Sequence, residues 1–221
     1  MLGWLRSKHP GSSLAALLFY ECVRVFTQVG LMVLFGFRWR GIGSLPSRGP
    51  VLVVANHQSY LDPPMVGCAM KHRHFDFLAR AGLFDSKWLG RLITTLHAVP
   101  VKENGGDPAS IKEILRRLEM GRVVLIFPEG TRTMDGSIGE FKRGVAVILR
   151  RSRCPVLPVG IAGAREAWPR GGKPRPFAGP IVVQAGEPIP HDELMADGAD
   201  AALERLRAEV GRLVELGERI R

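Results

Sequence analysis

His57 and Asp62 lie five positions apart, at the end of the apolar run Val51–Ala55 and just ahead of Pro63-Pro64 and a second apolar segment, Met65–Met70. Imidazole changes charge near neutrality, and a carboxylate at one ring nitrogen leaves the other to act as a base. A strand running into a turn and then a helix would bring the two side chains together at a sheet edge, where open α/β folds bind their ligands. The same residues also admit a purely structural reading. His57 would then be a hydrogen-bonded core residue, and Asp62 a helix cap with Pro63 in the first helical turn.

A second apolar run, Val123–Phe127, ends in Pro128-Glu129-Gly130-Thr131-Arg132-Thr133. This places an acid, a glycine, a hydroxyl and a guanidinium directly after a buried strand. Such a loop suits an anion, because Gly130 allows close backbone approach and Arg132 offers a planar fork matched to phosphate. Lys102, at the end of another expected strand, and Lys142, in the loop Glu140–Gly144, join this set if the strand ends converge on one side. The plainer alternative is that Glu129 and Arg132 pair with each other at a helix start.

The positioning elements follow from hydrophobic periodicity. Strands are expected at Val51–Ala55, Phe75–Arg80, Ala98–Lys102, Val123–Phe127, Cys154–Ile161 and Ile181–Gln184. Helices are expected at Phe84–Leu96, after Asp107-Pro108, and along the C-terminal stripe Leu203, Leu206, Val210, Leu213 and Ile220. Alternating strands and amphipathic helices predict an α/β fold, a single-domain αβα sandwich around a largely parallel mixed sheet over residues 41–221. Residues 1–40 are expected to form two amphipathic helices meeting near Thr27, because Glu21, Arg24 and Gln28 interrupt the apolar stretches Leu14–Tyr20 and Val29–Phe37.

The 221-residue chain has a net charge of +10, compatible with nucleic acid, anionic lipid or a phosphorylated substrate. The position of the charge separates these. In residues 1–50, Arg6, Lys8, Arg24, Arg38, Arg40 and Arg48 stand against the single acid Glu21 and flank apolar segments, which favours an anionic membrane surface. No zinc-finger spacing, aromatic RNA-binding motif or basic zipper is present, so nucleic acid is not an expected partner. No small-x-small site follows Leu14–Leu18 at the right distance, so a cleaved leader is not expected. Cys22, Cys68 and Cys154 lack pairable spacing and read as cytosol-facing thiols. Cys68 with His72 and His74 makes a weak metal signature, and no metal is expected.

Asn56-His57-Gln58-Ser59-Tyr60-Leu61-Asp62, followed some seventy residues later by Phe127–Arg132, resembles the 1-acylglycerol-3-phosphate acyltransferase family and its H-x4-D motif. The resemblance extends through Val99–Lys102, Gly139–Gly144 and Pro155–Val159, covering about Gly49 to Gln184. It implies transfer of a fatty acyl group from acyl-CoA or acyl-carrier protein to a lysophospholipid hydroxyl, with no bound cofactor, on the cytoplasmic face of the cell membrane. It also implies His57 as general base and Asp62 as its orienting acid, with Arg132, Lys102, Glu129, Gly130, Thr131 and Lys142 at the acceptor phosphate. Asn56, Ser59, Pro128 and Pro158 support the motifs, Ser59 as a turn residue rather than an acyl carrier.

Two departures bear on the acceptor. Lys102 stands where the family usually has arginine and loses the bidentate fork. Gly82 stands where relatives commonly carry glutamate. Another lysolipid, such as lyso-ornithine lipid, is therefore an alternative acceptor, and a non-catalytic lipid-binding protein on the same scaffold is the alternative from a different class.

Overall fold

The computed structural model describes residues 6–101 and 108–221. Seven strands form one sheet: β1 (Arg38–Arg40), β2 (Val51–Ala55), β3 (Phe75–Arg80), β4 (Ala98–Val101), β5 (Val123–Ile126), β6 (Val156–Ala162) and β7 (Val182–Ala185). Their spatial order is β1-β7-β6-β2-β5-β3-β4. Every neighbouring pair is parallel except β6 with β7. The expected mixed, largely parallel sheet is therefore present.

β2 sits at the centre because all five of its residues are apolar and both of its faces are covered. Val51, Val53 and Ala55 join the core on one face, under α1 (Leu14–Phe35) and α2 (Asp62–Ala69). Leu52 and Val54 point the other way, into the core built with α4 (Pro108–Glu119), α5 (Arg143–Ser152) and α8 (Ala199–Arg219). The period-two alternation of side chains thus fills both layers of an αβα sandwich. Further helices are α3 (Lys87–Thr95), α6 (Ala164–Ala167) and α7 (His191–Leu194).

Two expectations change. Residues 14–35 form one continuous helix, not two helices meeting near Thr27. The polar residues that suggested a break satisfy one another at helical spacing: Arg24 Nε donates to Glu21 Oε2 at 2.9 Å, and Arg24 donates to Gln28 Oε1 at 3.0 Å. Glu21 also receives Lys8 Nζ at 2.5 Å and bonds His74 Nε2 at 2.8 Å, so this polar cluster fastens α1 to the domain. The helix ends at Gly36, whose φ of 56° is the left-handed cap that glycine adopts without steric cost. The second change is β1, which no periodicity announced, because Arg38-Trp39-Arg40 carries one apolar residue between two bases.

The expected C-terminal stripe packs on the sheet, with Leu206, Val210 and Leu213 buried. Close approach is possible because Gly160 of β6 faces α8. A Cβ there would lie 2.5 Å from the backbone carbon of Leu213 and the nitrogen of Val214. Gly160→Ala should therefore cost about 1–3 kcal/mol of stability in chemical denaturation, since α8 must shift to admit the methyl group.

Acid stability reports on the α1 cluster. Burial alone would raise the Glu21 carboxyl, but hydrogen bonds from His74, Lys8 and Arg24 outweigh it and bring it from 4.5 down to about 2. A depressed folded-state value means that the carboxylate's stabilising contribution is complete above about pH 4.5 and is lost as pH falls toward 2. The stability difference between the native chain and Glu21→Gln, measured by denaturation, should shrink over that interval. A difference that stays constant with pH would contradict the assignment.

Candidate active site

The site lies at the C-terminal edge of the sheet. Parallel pairing of β2 with β5, with Val54 opposite Ile126, sets the turn after Ala55 beside the loop after Phe127. Asn56 fixes the first turn by a two-way bond to β6. Its Nδ2 donates to Ile161 O at 2.9 Å, and its Oδ1 accepts from Ile161 N at 2.7 Å.

His57 Nδ1 lies 2.7 Å from Asp62 Oδ2. That same oxygen accepts the backbone N–H of Gln58 at 2.6 Å and of Ser59 at 2.8 Å, and Asp62 is fully buried. The Asp62 side chain therefore does not cap α2. Its residue stands in the first helical turn, but the carboxylate turns back to collect the donors of the preceding loop. With Nδ1–H donating to Asp62, Nε2 is left with the lone pair, and His57 lines both cavities described below.

The second loop clamps His57. Glu129 Oε1 accepts His57 N at 2.7 Å, Thr133 N donates to His57 O at 2.8 Å, and the imidazole stacks on Phe127 with centroids 4.0 Å apart. The other oxygen of Glu129 accepts Gly139 N at 3.0 Å. Glu129 is buried, and that burial pushes its carboxyl above the usual range despite both backbone donors. It is placed as a brace beneath the site, with both oxygens on main-chain amides.

The other expected residues divide. Arg132 is half-buried, its guanidinium lies 3.5 Å from the centre of the Tyr60 ring, and one of its terminal nitrogens is buried without a partner. Gly130, with φ of 70°, closes the turn on Phe127 O at 3.0 Å, and Thr131 is exposed beside it. Lys142 stands exposed at the start of α5, its N–H bonded to Pro128 O at 2.8 Å. Ser59 Oγ donates to Trp168 O at 2.9 Å, consistent with a turn role. Pro158 lies within β6 opposite Val54 and lines neither cavity. Lys102 lies outside the described residues.

Two cavities meet at His57, Leu78, Arg80, Phe127 and Arg132. The larger, about 660 Å³, carries Arg80, Arg132, Lys142 and Arg170 on its walls. The smaller, about 340 Å³, runs under α1 between Tyr20, Val23, Phe75, Phe77, Ile93 and Leu96. Motif reading did not assign Arg80, Tyr60 or Arg170 to the site. The position of Arg80 at the C-terminal end of β3 was a usable signal, whereas Arg170 sits in a loop with no pattern to mark it.

His9, Asp76 and His97 also gather their ligand atoms within 4.8 Å of one another. That group reads as a packed polar cluster. His9 Nε2 bonds Asp76 Oδ1 at 3.0 Å, the two imidazoles stack at 3.7 Å, and Arg117 adds a cation 2.6 Å from the same oxygen. Burial and the neighbouring His9 push His97 down to about 3. Cys68 does not join His74: its Sγ–H points to Arg24 O, and His74 bonds Glu21.

The Acyltransferase family model matches residues 36–162. The chain is 28% identical to the 1-acyl-sn-glycerol-3-phosphate acyltransferase of Bacillus subtilis (strain 168), over 78% of this chain and 87% of that protein. It is 27% identical to the chloroplastic 1-acyl-sn-glycerol-3-phosphate acyltransferase LPAT1 of Arabidopsis thaliana over 87% of this chain, and spans about half of that longer relative, 53%. Among solved structures, it resembles the crystal structure of the 1-acyl-sn-glycerophosphate (LPA) acyltransferase PlsC from Thermotoga maritima. The TM-score is 0.72 at 25% identity, covering 97% of this chain and 86% of that one. The family match takes in β2, the His57–Asp62 turn and the Phe127–Arg132 loop, and extends over more than half of the chain. The chain belongs to the acyltransferase family that includes the 1-acylglycerol-3-phosphate acyltransferases.

Proposed function

We propose that this protein transfers a fatty acyl group from a coenzyme A or acyl-carrier-protein thioester to the free hydroxyl of 1-acylglycerol-3-phosphate, giving phosphatidate. The observation that carries this reading is the 2.7 Å contact of His57 Nδ1 with Asp62 Oδ2, on an imidazole standing where a basic cavity meets an apolar one. His57 Nε2 takes the proton of the acceptor hydroxyl as its oxygen attacks the thioester carbonyl carbon. A C–O bond forms, and the tetrahedral intermediate collapses with cleavage of the C–S bond. The departing thiolate takes the proton back from Nε2, which restores neutral His57. Asp62 holds the ring and stabilises the transient imidazolium. An enzyme nucleophile is unnecessary, and the Ser59 hydroxyl is already committed to Trp168 O.

The substrate's two halves suit the two cavities. The phosphate would lie against Arg132, whose unpartnered nitrogen supplies a charged donor, with Lys142 and Arg80 on the same walls. This basic lining favours an anionic acceptor over a zwitterionic one such as lyso-ornithine lipid. The apolar cavity under α1 suits an acyl chain. α1 is long and apolar enough to cross a membrane, yet Leu17, Tyr20, Leu31 and Phe35 on one of its faces are buried in the domain. A helix so fastened is better suited to lie in the interface of the cytoplasmic leaflet, its exposed face to lipid.

Incubating the purified chain with a panel of lysolipids and acyl thioesters, and identifying products by mass, tests the assignment directly. Formation of phosphatidate from lysophosphatidate is expected, and no product from any pair would overturn it. His57→Ala should lower turnover by about 10³-fold or more in a chain that still folds, as read by circular dichroism, because the main-chain bonds at position 57 survive. Arg132→Ala should raise KM for phosphate-bearing acceptors about tenfold while changing KM for the thioester far less. Equal effects on both substrates would refute the role assigned to Arg132.

A further inference from the structure

Residues 168–180 join the active site to the far end of α1. At the site end, Ser59 Oγ donates to Trp168 O, Trp168 packs against Tyr60, and Arg170 donates to Arg132 O at 3.2 Å. At the other end, Phe177 N–H donates at 2.7 Å to Leu34 O, in the last turn of α1. Internal bonds shape the segment: Trp168 Nε1 to Gly172 O at 3.0 Å and Arg175 N to Ala167 O at 2.7 Å. Pro169, Pro174, Pro176 and Pro180 limit its freedom further.

This built loop presents the aromatic ring of Phe177 outward. Phe177 is 75% exposed and adopts φ of 64°, a left-handed conformation rarely taken by a bulky residue. Core packing does not account for this arrangement, since the ring leaves the core. Beside it α1 exposes a continuous apolar stripe, Leu18, Val25, Phe26, Val29 and Val33. The charge on the loop has one sign. Between Glu166 and Glu187 there is no acid, while Arg170, Lys173 and Arg175 are all exposed. An aromatic tip flanked by bases, continuous with an apolar helix face, matches an anionic bilayer: apolar depth below, negative headgroups at the rim.

We propose that this loop is a second membrane contact, inserting Phe177 into an anionic leaflet beside α1 while Lys173 and Arg175 engage lipid phosphates. The proposal rests on the reading of the acceptor as a lipid. Because Arg170 at the base of the loop reaches both Arg132 and the larger cavity, docking would set the mouth of the site against the leaflet that holds the acceptor.

The test uses the full chain and phospholipid vesicles, with binding read by sedimentation in the absence of turnover. Phe177→Gly relieves the strained φ and so preserves the fold while deleting the ring. It should weaken partitioning about tenfold on vesicles of phosphatidylcholine and on vesicles containing phosphatidylglycerol, with Phe177→Trp restoring binding. Lys173→Gln and Arg175→Gln should each weaken binding about fivefold on the phosphatidylglycerol vesicles only. Activity of Phe177→Gly on a short-chain, monomeric acceptor should equal that of the native chain, while activity on vesicle-borne acceptor falls. Unchanged vesicle binding in Phe177→Gly would overturn the proposal, as would equal losses on soluble and vesicle-borne acceptors. A fall in oligomeric mass with unchanged vesicle binding would assign the tip to contact between copies and would also overturn it. Absence of turnover in the native chain would strike the acyltransferase reading alone, because the binding comparison does not depend on it.

Discussion

The structure of the site depends on a buried carboxylate that must find donors. Asp62 is fully shielded from water, and a charge so placed is costly unless it is hydrogen-bonded. One of its oxygens gathers the imidazole Nδ1 of His57 and the backbone N–H groups of Gln58 and Ser59. Satisfying three donors at once leaves little freedom in the turn between β2 and α2. The four residues between His57 and Asp62 therefore have a geometric meaning: they are the loop that closes on one carboxylate oxygen. Orientation of the imidazole and closure of the turn are one interaction, so a change at Asp62 disturbs both.

Glu129 repeats this logic on the neighbouring strand. Its carboxylate is buried and tied to two main-chain amides, one of which belongs to His57. Two acids thus act on the same histidine. Asp62 grips the ring, and Glu129 holds the backbone that carries it. The parallel register of β2 and β5 makes this possible, since it brings Val54 and Ile126 level and lets the following loops run side by side. The acid in the Phe127–Arg132 loop is consistent with anion binding because its lone pairs are occupied by N–H donors, while the neighbouring Arg132 keeps a donor unpaired.

What could be read in the sequence follows the range of the interactions. Val51–Ala55 and Val123–Ile126 announce buried strands because each is apolar throughout, and the α8 stripe announces a packed helix face. The pairing of His57 with Asp62 was legible because both partners lie within one turn. Glu129 as a brace was not, because its partner lies 72 residues away and an isolated acid beside an arginine suggests an ion pair. The Asp62 side chain suggested a cap because residues that cap helices and residues that anchor preceding loops share the same sequence context. β1 escaped notice because its strand character comes from pairing with β7, a partner more than 140 residues distant, and not from its own pattern.

The same distance effect explains α1. Glu21 and Arg24 looked like faults in an apolar segment because Lys8 and His74, which complete their cluster, are brought in by the fold. Once those contacts exist, the helix has an unusual division of labour: its polar residues face the protein, and its outward face is apolar. A water-exposed helix would be arranged the other way. The inversion has an energetic reading. Bonding the charges inward removes the main obstacle to placing the outward face in lipid, since a carboxylate at a bilayer interface would otherwise oppose insertion. The apolar cavity lies under this same helix and opens to His57 at its inner end.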